Sequence, residues 1–352
     1  MTSEHMQNPL ELDGIEFIEF ASPDPDALHT LFLDFGFSRV ASHCEKNVDL
    51  YIQNDIHFLL NREASSVGQS FAAVHGPSIC SMGWRTKNAT GAIREASLRG
   101  ASIVDRADYS QLGNALHAIS GVGGSLVYLV DGYQDPDFYA HLGFRPLAAP
   151  DLVPEKGFLA IDHLTNNVQK GTMETWARFY KSVFGFTEVR YFDIRGAKTG
   201  LSSYALRSPC GRFCIPINEA TEAKSQINEF IDEYKGAGIQ HLAFLTRDIL
   251  SSLRALDGSR VHFLDIDDEY YRTIWDRVPN VTESHDEIAK RAVLVDGDAE
   301  GYLLQIFTKP VVGPIFIEII QRKNHLSFGE GNFGALFRSI ERDQERRGVL
   351  DA

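Results

Sequence analysis

The feature that most constrains this chain is internal repetition. GIEFIEFASPDPDALHTLFLDFGFSRVA near the amino terminus and AIDHLTNNVQKGTMETWARFYKSVFGFTEVRYF from residue 160 share one order: strand, polar loop, amphipathic helix, Phe-Gly-Phe (35–37 and 184–186), strand. A second pair, GPSICSMGWRTKNATGAIREASLRGASIV and GAGIQHLAFLTRDILSSLRALDGSRVHFL, reads as strand, helix, strand. GGSLVYLVD and GPIFIEIIQ make a third pair, each opening on Gly and alternating as strands do. The pattern predicts an α+β chain of two domains, each holding two βαβββ modules. Pro and charge interrupt the apolar periodicity in LAAPDLVPEKG, residues 147–157, which divides the chain into 1–152 and 153–352. GEGNFGALFRSIERDQERRG reads as a terminal helix, with Phe333, Leu336, Phe337 and Ile340 at helical spacing and charge opposite.

Composition narrows what such a chain can act on. With 43% hydrophobic and 23% charged residues it is globular in character, and 34 Lys and Arg against 48 Asp and Glu give a net charge of −14. That balance argues against nucleic acid or an anionic membrane surface as the partner and leaves a small molecule. The opening MTSEHMQNPLELDG lacks a basic segment followed by an apolar one, and no apolar run is long enough to span a bilayer, so the cytoplasm is the expected location. Four scattered Cys, with Cys210 and Cys214 unaccompanied by further ligands, read as reduced thiols.

Superposing the halves shows where strand positions have become polar. Phe17 answers to His163, Ser81 to His241 and Tyr128 to Glu318, so two imidazoles and a carboxylate occupy repeat-equivalent places in the second half only. A lone strand His is ordinarily a hydrogen-bonded core residue. Glu318 changes the balance, because a carboxylate among Phe316, Ile317, Ile319 and Ile320 calls for a cation or a partner. The three are separated by 78 and 77 residues, unlike any local zinc-finger spacing, so only the fold can assemble them. Two His and one carboxylate form the facial triad of non-haem Fe(II) oxygenases, with three positions left open.

The paired modules resemble the vicinal oxygen chelate superfamily, which implies half-open barrels around a pocket. IDHLTNNV, YFDIRGAKTGLSSYAL, IPINE, GAGIQHLAFLT, LLQIFT, GPIFIEIIQRK and FGEGNFGALFRSIERDQ, with FIEFASPDPDALHTLF and AAVHGPSICSMGWR in the first half, resemble the 4-hydroxyphenylpyruvate dioxygenase family in its bacterial form. The likeness runs along essentially the whole chain; the AKTG loop and the CGRFC segment depart from the family pattern, away from the ligand strands. It implies Fe(II) at His163, His241 and Glu318, and 4-hydroxyphenylpyruvate and O2 as substrates. The products would be homogentisate and CO2, in tyrosine catabolism. By the same likeness Phe307 and Phe333 sandwich the ring, while Ser203, Asn218, Gln226, Gln240 and Gln305 supply neutral hydrogen-bonding groups. Pro216, Phe316, Phe328 and Leu336 would shape the walls, and the terminal helix with Asn332 and Phe333 would close as a lid. Gln240, Gln305 and Phe333 are the candidate catalytic residues. The likeness further suggests a homodimer or homotetramer built through the first half.

Three rivals differ in chemistry. A 4-hydroxymandelate synthase shares the triad and substrate but is expected to carry a smaller aliphatic residue where Phe333 stands. An extradiol catechol dioxygenase needs a general base beside the metal, where this chain has Gln240 and Gln305. A metal-free binding protein of the same fold is what the first half alone, with Phe17, Ser81 and Tyr128, resembles.

Overall fold

The computed structural model describes residues 8–104, 108–195 and 199–348. The first seven residues and part of the AKTG loop, on which sequence expectations were placed, lie outside them. The first half runs β1 (Leu12–Ala21), α1 (Pro25–Asp34), β2 (Ser38–His43), β3 (Val48–Gln53), β4 (Ile56–Asn61), α2 (Val67–His75), β5 (Ser78–Thr86) and α3 (Ala89–Leu98). It continues through β6 (Ile103–Val104), β7 (Ser110–Gln111), β8 (Asn114–Ala115), β9 (Ala118–Ser120), β10 (Leu126–Val130), α4 (Phe138–His141) and β11 (Phe144–Asp151). The second half runs β12 (Phe158–Val168), α5 (Met173–Phe184), β13 (Thr187–Arg195), β14 (Gly200–Arg207), β15 (Cys214–Ala220), α6 (Gln226–Tyr234), β16 (Gly238–Thr246) and α7 (Ile249–Ala255). Next come α8 (Asp268–Arg277), α9 (His285–Lys290), β17 (Leu294–Gly297), β18 (Tyr302–Phe307), β19 (Phe316–Lys323) and the terminal helix α10 (Phe333–Arg346).

The repeat governs the topology. The first sheet has the order β11-β2-β3-β4-β1-β5-β10-β9-β6 and the second β13-β14-β15-β12-β16-β19-β18-β17. Apart from β11, the two orders correspond strand for strand, which is the curled, paired-module arrangement of the vicinal oxygen chelate fold. Sheet membership changes between Asp151 and Phe158. One element departs from expectation. RVHFL, read as a strand, makes a single bridge from Phe263 to Thr308, with Lys309 N–H donating to His262 O and Leu264 N–H to Phe307 O. The chain then leaves the sheet to build α8 and α9, and the edge position is filled by β17, paired with β18.

Each Phe-Gly-Phe serves the opposite half. Phe35 and Phe37 pack on Phe244 of β16, with ring centroids 5.8 and 5.7 Å away. Phe184 and Phe186 pack on Trp84 of β5, the repeat-equivalent of Phe244, at 4.8 and 5.9 Å. His75 stacks on Tyr234 at 4.6 Å and its Nδ1–H donates to Tyr234 O. One continuous apolar core therefore runs through both halves. Among the described residues no helix is long and apolar enough to cross a membrane.

Candidate metal centre

The strands β12, β16 and β19 lie side by side, and their register explains how distant residues meet. His163 pairs with Ala243 and Ala243 with Glu318, so the imidazole and carboxylate flank a methyl group in one row across the sheet. His241 sits two residues from Ala243 on the same strand and so on the same face. His163 Nε2 is 3.1 Å from Glu318 Oε2, His241 Nε2 is 3.3 Å from His163 Nε2 and 3.6 Å from Glu318 Oε2. Donors bonded to one ion at about 2.1 Å stand about 3 to 3.4 Å apart, so the triangle suits a single first-row metal. Ala243 is fully buried, and anything larger would press into it. Ala243→Leu is expected to weaken cobalt(II) binding at least tenfold, read by anaerobic titration; unchanged affinity would show that the row tolerates bulk.

Two bulges aim the histidines. Asp162 is an extra residue in β12, between the pairs Ile161–Phe244 and His163–Ala243, and Gln240 is an extra residue in β16, between Thr165–His241 and Asn166–Ile239. Each bulged side chain then meets the ring that follows it: His163 Nδ1 lies 2.8 Å from Asp162 Oδ2, and His241 Nδ1 lies 3.0 Å from Gln240 Oε1. Donation from both Nδ1–H groups fixes the tautomer that turns each Nε2 lone pair toward Glu318. Burial pulls His163 down, but Glu318 and Asp162 outweigh it and push the imidazole up to about 9. Burial and the charge of His163 hold His241 well below its ordinary value. A metal bound at Nε2 would displace any proton that His163 holds there.

The cavity over this triangle holds about 650 Å³ of empty space, part of it open to solvent. Ser203 on β14 and Pro216 and Asn218 on β15 line one side, and Gln226, the first residue of α6, lines the rim. Gln240, Gln305, Phe307 and Phe316 line the other side from β16, β18 and β19. Phe328, Phe333 and Leu336 cover it from the carboxy-terminal segment. Asn332 is placed otherwise: it is fully buried at the head of α10, its Oδ1 accepting from Tyr270 OH at 2.7 Å and Arg277 Nη2 at 3.2 Å, and it does not line the cavity. Its place is to seat the helix that carries Phe333. Thr165, Phe192, Ile194, Leu201 and Phe337 also line the cavity and were missed from sequence. Alternation along β12 and β14 could have found Thr165 and Leu201, each two residues from His163 or Ser203, whereas Phe192 reaches that face only through its pairing with Ser203 and Ile194 through its pairing with Leu201.

Comparison with known proteins accords with this site. Residues 6–144 match the family model described as Hydroxyphenylpyruvate dioxygenase, HPPD, N-terminal, and residues 160–295 match the Glyoxalase/Bleomycin resistance protein/Dioxygenase superfamily. The protein MelA of Shewanella colwelliana is 56% identical over 98% of this chain and 99% of its own. The 4-hydroxyphenylpyruvate dioxygenase of Pseudomonas aeruginosa is 45% identical over 97% of both chains. The chain belongs to the 4-hydroxyphenylpyruvate dioxygenase family. A solved variant of 4-hydroxymandelate synthase from Streptomyces coelicolor, 24% identical over 95% of this chain and all of that one, shares the fold with a TM-score of 0.83. The two imidazoles and the carboxylate could hold the metal cofactor that the family implies.

Within this family member the cavity has one conformational pinch point. Gly329 has φ +78°, and a Cβ there would stand 2.0 Å from Gln305 Oε1. Gln305 Oε1 is itself buried without a protein partner. Gly329→Ala is therefore expected to cost about 1–2 kcal/mol from backbone strain and to raise KM several-fold by displacing Gln305. Denaturation midpoints and steady-state kinetics read the two effects separately.

Proposed function

We propose that this chain converts 4-hydroxyphenylpyruvate and O2 to homogentisate and CO2, using Fe(II) held by His163, His241 and Glu318. The observation that carries this reading is the charge pattern of the cavity. Among the described lining residues the only ionisable side chains are those three, and every other is neutral. A 2-oxo acid entering such a wall finds no Lys or Arg for its carboxylate, so a bound cation is its only countercharge. Two His and one carboxylate suit Fe(II) and leave positions for a bidentate 2-oxo acid and O2. The iron, when bound, supplies the redox and O2 chemistry that side chains lack.

The rest falls to the chain itself. Phe307 and Phe333 hold the ring between two rigid faces, and Phe328 and Leu336 exclude water around it. The unpartnered Oε1 of Gln305 suits a donor hydroxyl on the substrate. Gln240 keeps His241 in its ligating tautomer, and Ser203, Asn218 and Gln226 offer neutral contacts. The terminal helix α10 serves as the cover. We assign the catalytic domain to 153–352 and a structural role to 1–152, where Phe17, Ser81 and Tyr128 replace the ligands. Assembly as a homodimer or homotetramer in the cytoplasm, with neither nucleic acid nor membrane as partner, completes the reading.

Anaerobic protein given Fe(II) and then 4-hydroxyphenylpyruvate should develop the visible charge-transfer absorbance of a chelated 2-oxo acid. Admitting O2 should then consume one O2 per CO2 released. Homogentisate and 4-hydroxymandelate are isomers, so chromatography rather than mass decides between ring and benzylic attack. Co-elution with 4-hydroxymandelate would overturn the product assignment, and O2 uptake with catechol alone would favour the extradiol reading. A protein that takes up no Fe(II) even with ascorbate would be a binding module.

A further inference from the structure

Behind the metal-facing side of His163, the Asp162 that fixes its tautomer is itself held by Arg322, which none of the roles above uses. Arg322 lies four residues beyond Glu318 on β19, and its guanidinium forks onto Asp162, with Nε donating to Oδ1 at 2.7 Å and Nη2 to Oδ2 at 2.8 Å. The same Asp162 Oδ2 accepts from His163 Nδ1. The remaining nitrogen, Nη1, donates to His325 O at 3.1 Å and Ser327 O at 2.6 Å. Those carbonyls belong to the turn that delivers Phe328, whose ring stands 5.6 Å from the His163 ring and 6.0 Å from the Arg322 guanidinium. Arg322 and Asp162 are both nearly buried, their side chains 14% and 12% exposed.

We infer that Arg322 is a positioning residue that ties the orientation of the metal-binding His163 to the position of the substrate-facing turn at Phe328. This rests on the reading of His163 as a metal ligand and deepens it. A carboxylate on a ligating imidazole fixes the ring and raises its basicity. Arg322 neutralises that carboxylate, so Asp162 acts on His163 without adding net negative charge beside the ion. Only a planar fork can hold two carboxylate oxygens and two carbonyls at once; a Lys ammonium is a point charge that must choose between them. Metal affinity and the aromatic wall are then coupled through one guanidinium, whereas Asp162 acts on the metal side alone.

Cobalt(II) titration of the anaerobic full-length protein reads the site without turnover, by affinity and by the ligand-field bands. Asp162→Asn keeps the volume and one acceptor; it should weaken cobalt(II) binding about 10- to 100-fold and leave KM for 4-hydroxyphenylpyruvate within about twofold once metal is saturating. Arg322→Met should weaken cobalt(II) binding and also raise KM, with O2 consumed in excess of product. Arg322→Lys should recover part of one loss but not both. Arg322→Lys matching the natural protein in cobalt affinity, bands and KM would overturn the inference. If neither Arg322 variant folds, Asp162→Asn decides alone, and natural cobalt affinity in it overturns the inference. The wild type and His163→Ala separate the two levels. If the wild type binds no metal, the metal reading has failed. If it binds and His163→Ala does not, while the Asp162 and Arg322 variants behave as wild type, only the coupling has failed.

Discussion

Glu318→Ala is expected to abolish both metal retention and turnover, with His163→Ala and His241→Ala close behind. Each removes one of three donors whose mutual distances are 3.1, 3.3 and 3.6 Å. Two imidazoles alone grip a divalent ion weakly, and a loss well beyond the roughly 10- to 100-fold attached to outer partners is the expectation. Glu318 is the most consequential of the three because, among the described residues lining the cavity, it supplies the only anionic donor. Its removal also leaves His163 without the carboxylate that, with Asp162, overcomes its burial. Metal content after anaerobic reconstitution, together with O2 uptake, reads this directly. Any of the three variants keeping stoichiometric metal and near-natural turnover would remove that residue from the set. Glu318→Ala should still fold, since His163 can lose its proton and so leaves no unpaired charge in the site.

Much of this site was legible because a strand repeat carries positional information. Aligning Ile161 to Leu164 over Ile15 to Ile18, and Ile239 to Leu242 over Ile79 to Met82, places residues at matching points of the two sheets, and the matching strand orders show why that works. The bulges at Asp162 and Gln240 were not legible, because a bulge is a property of two paired strands and neither sequence announces it. Asp162 therefore carries no sequence signal although it precedes a ligand, and neither does Arg322 in GPIFIEIIQRK. Asn332 was placed in the pocket by family likeness, yet its own carboxamide answers to Tyr270 and Arg277 of α8. That helix belongs to the excursion between Phe263 and β17, where the described residues of the first half hold the short β7–β8 hairpin instead, so superposition could not find it. Repeats transmit what the halves share and are silent on what one half has added.

The Phe-Gly-Phe repeat is where sequence gave the motif and only packing gave the reason. Trp84 is fully buried, and its ring lies 4.8 Å from Phe184, 5.2 Å from Phe213 and 5.9 Å from Phe186, all contributed by the other half. Phe244, its repeat-equivalent, receives Phe35, Phe37 and Phe58 from the first half in the same manner. Trp84→Ala removes the largest side chain of this junction and leaves a cavity that the three surrounding rings cannot close, so it should cost about 3–5 kcal/mol. No hydrogen bond is lost with it, since the Trp84 indole N–H has no partner, and the cost is one of packing alone. Against a total of about 5–15 kcal/mol, that is a large fraction of what holds the fold. Because one core runs through both halves, they should unfold together, and Phe244→Ala should lower the same transition by a comparable amount. Chemical denaturation followed by tryptophan-independent circular dichroism tests this. Two separated transitions in the natural protein, or a loss under about 1 kcal/mol in Trp84→Ala, would mean that the halves stand alone and that the reciprocal seating of the two motifs is incidental.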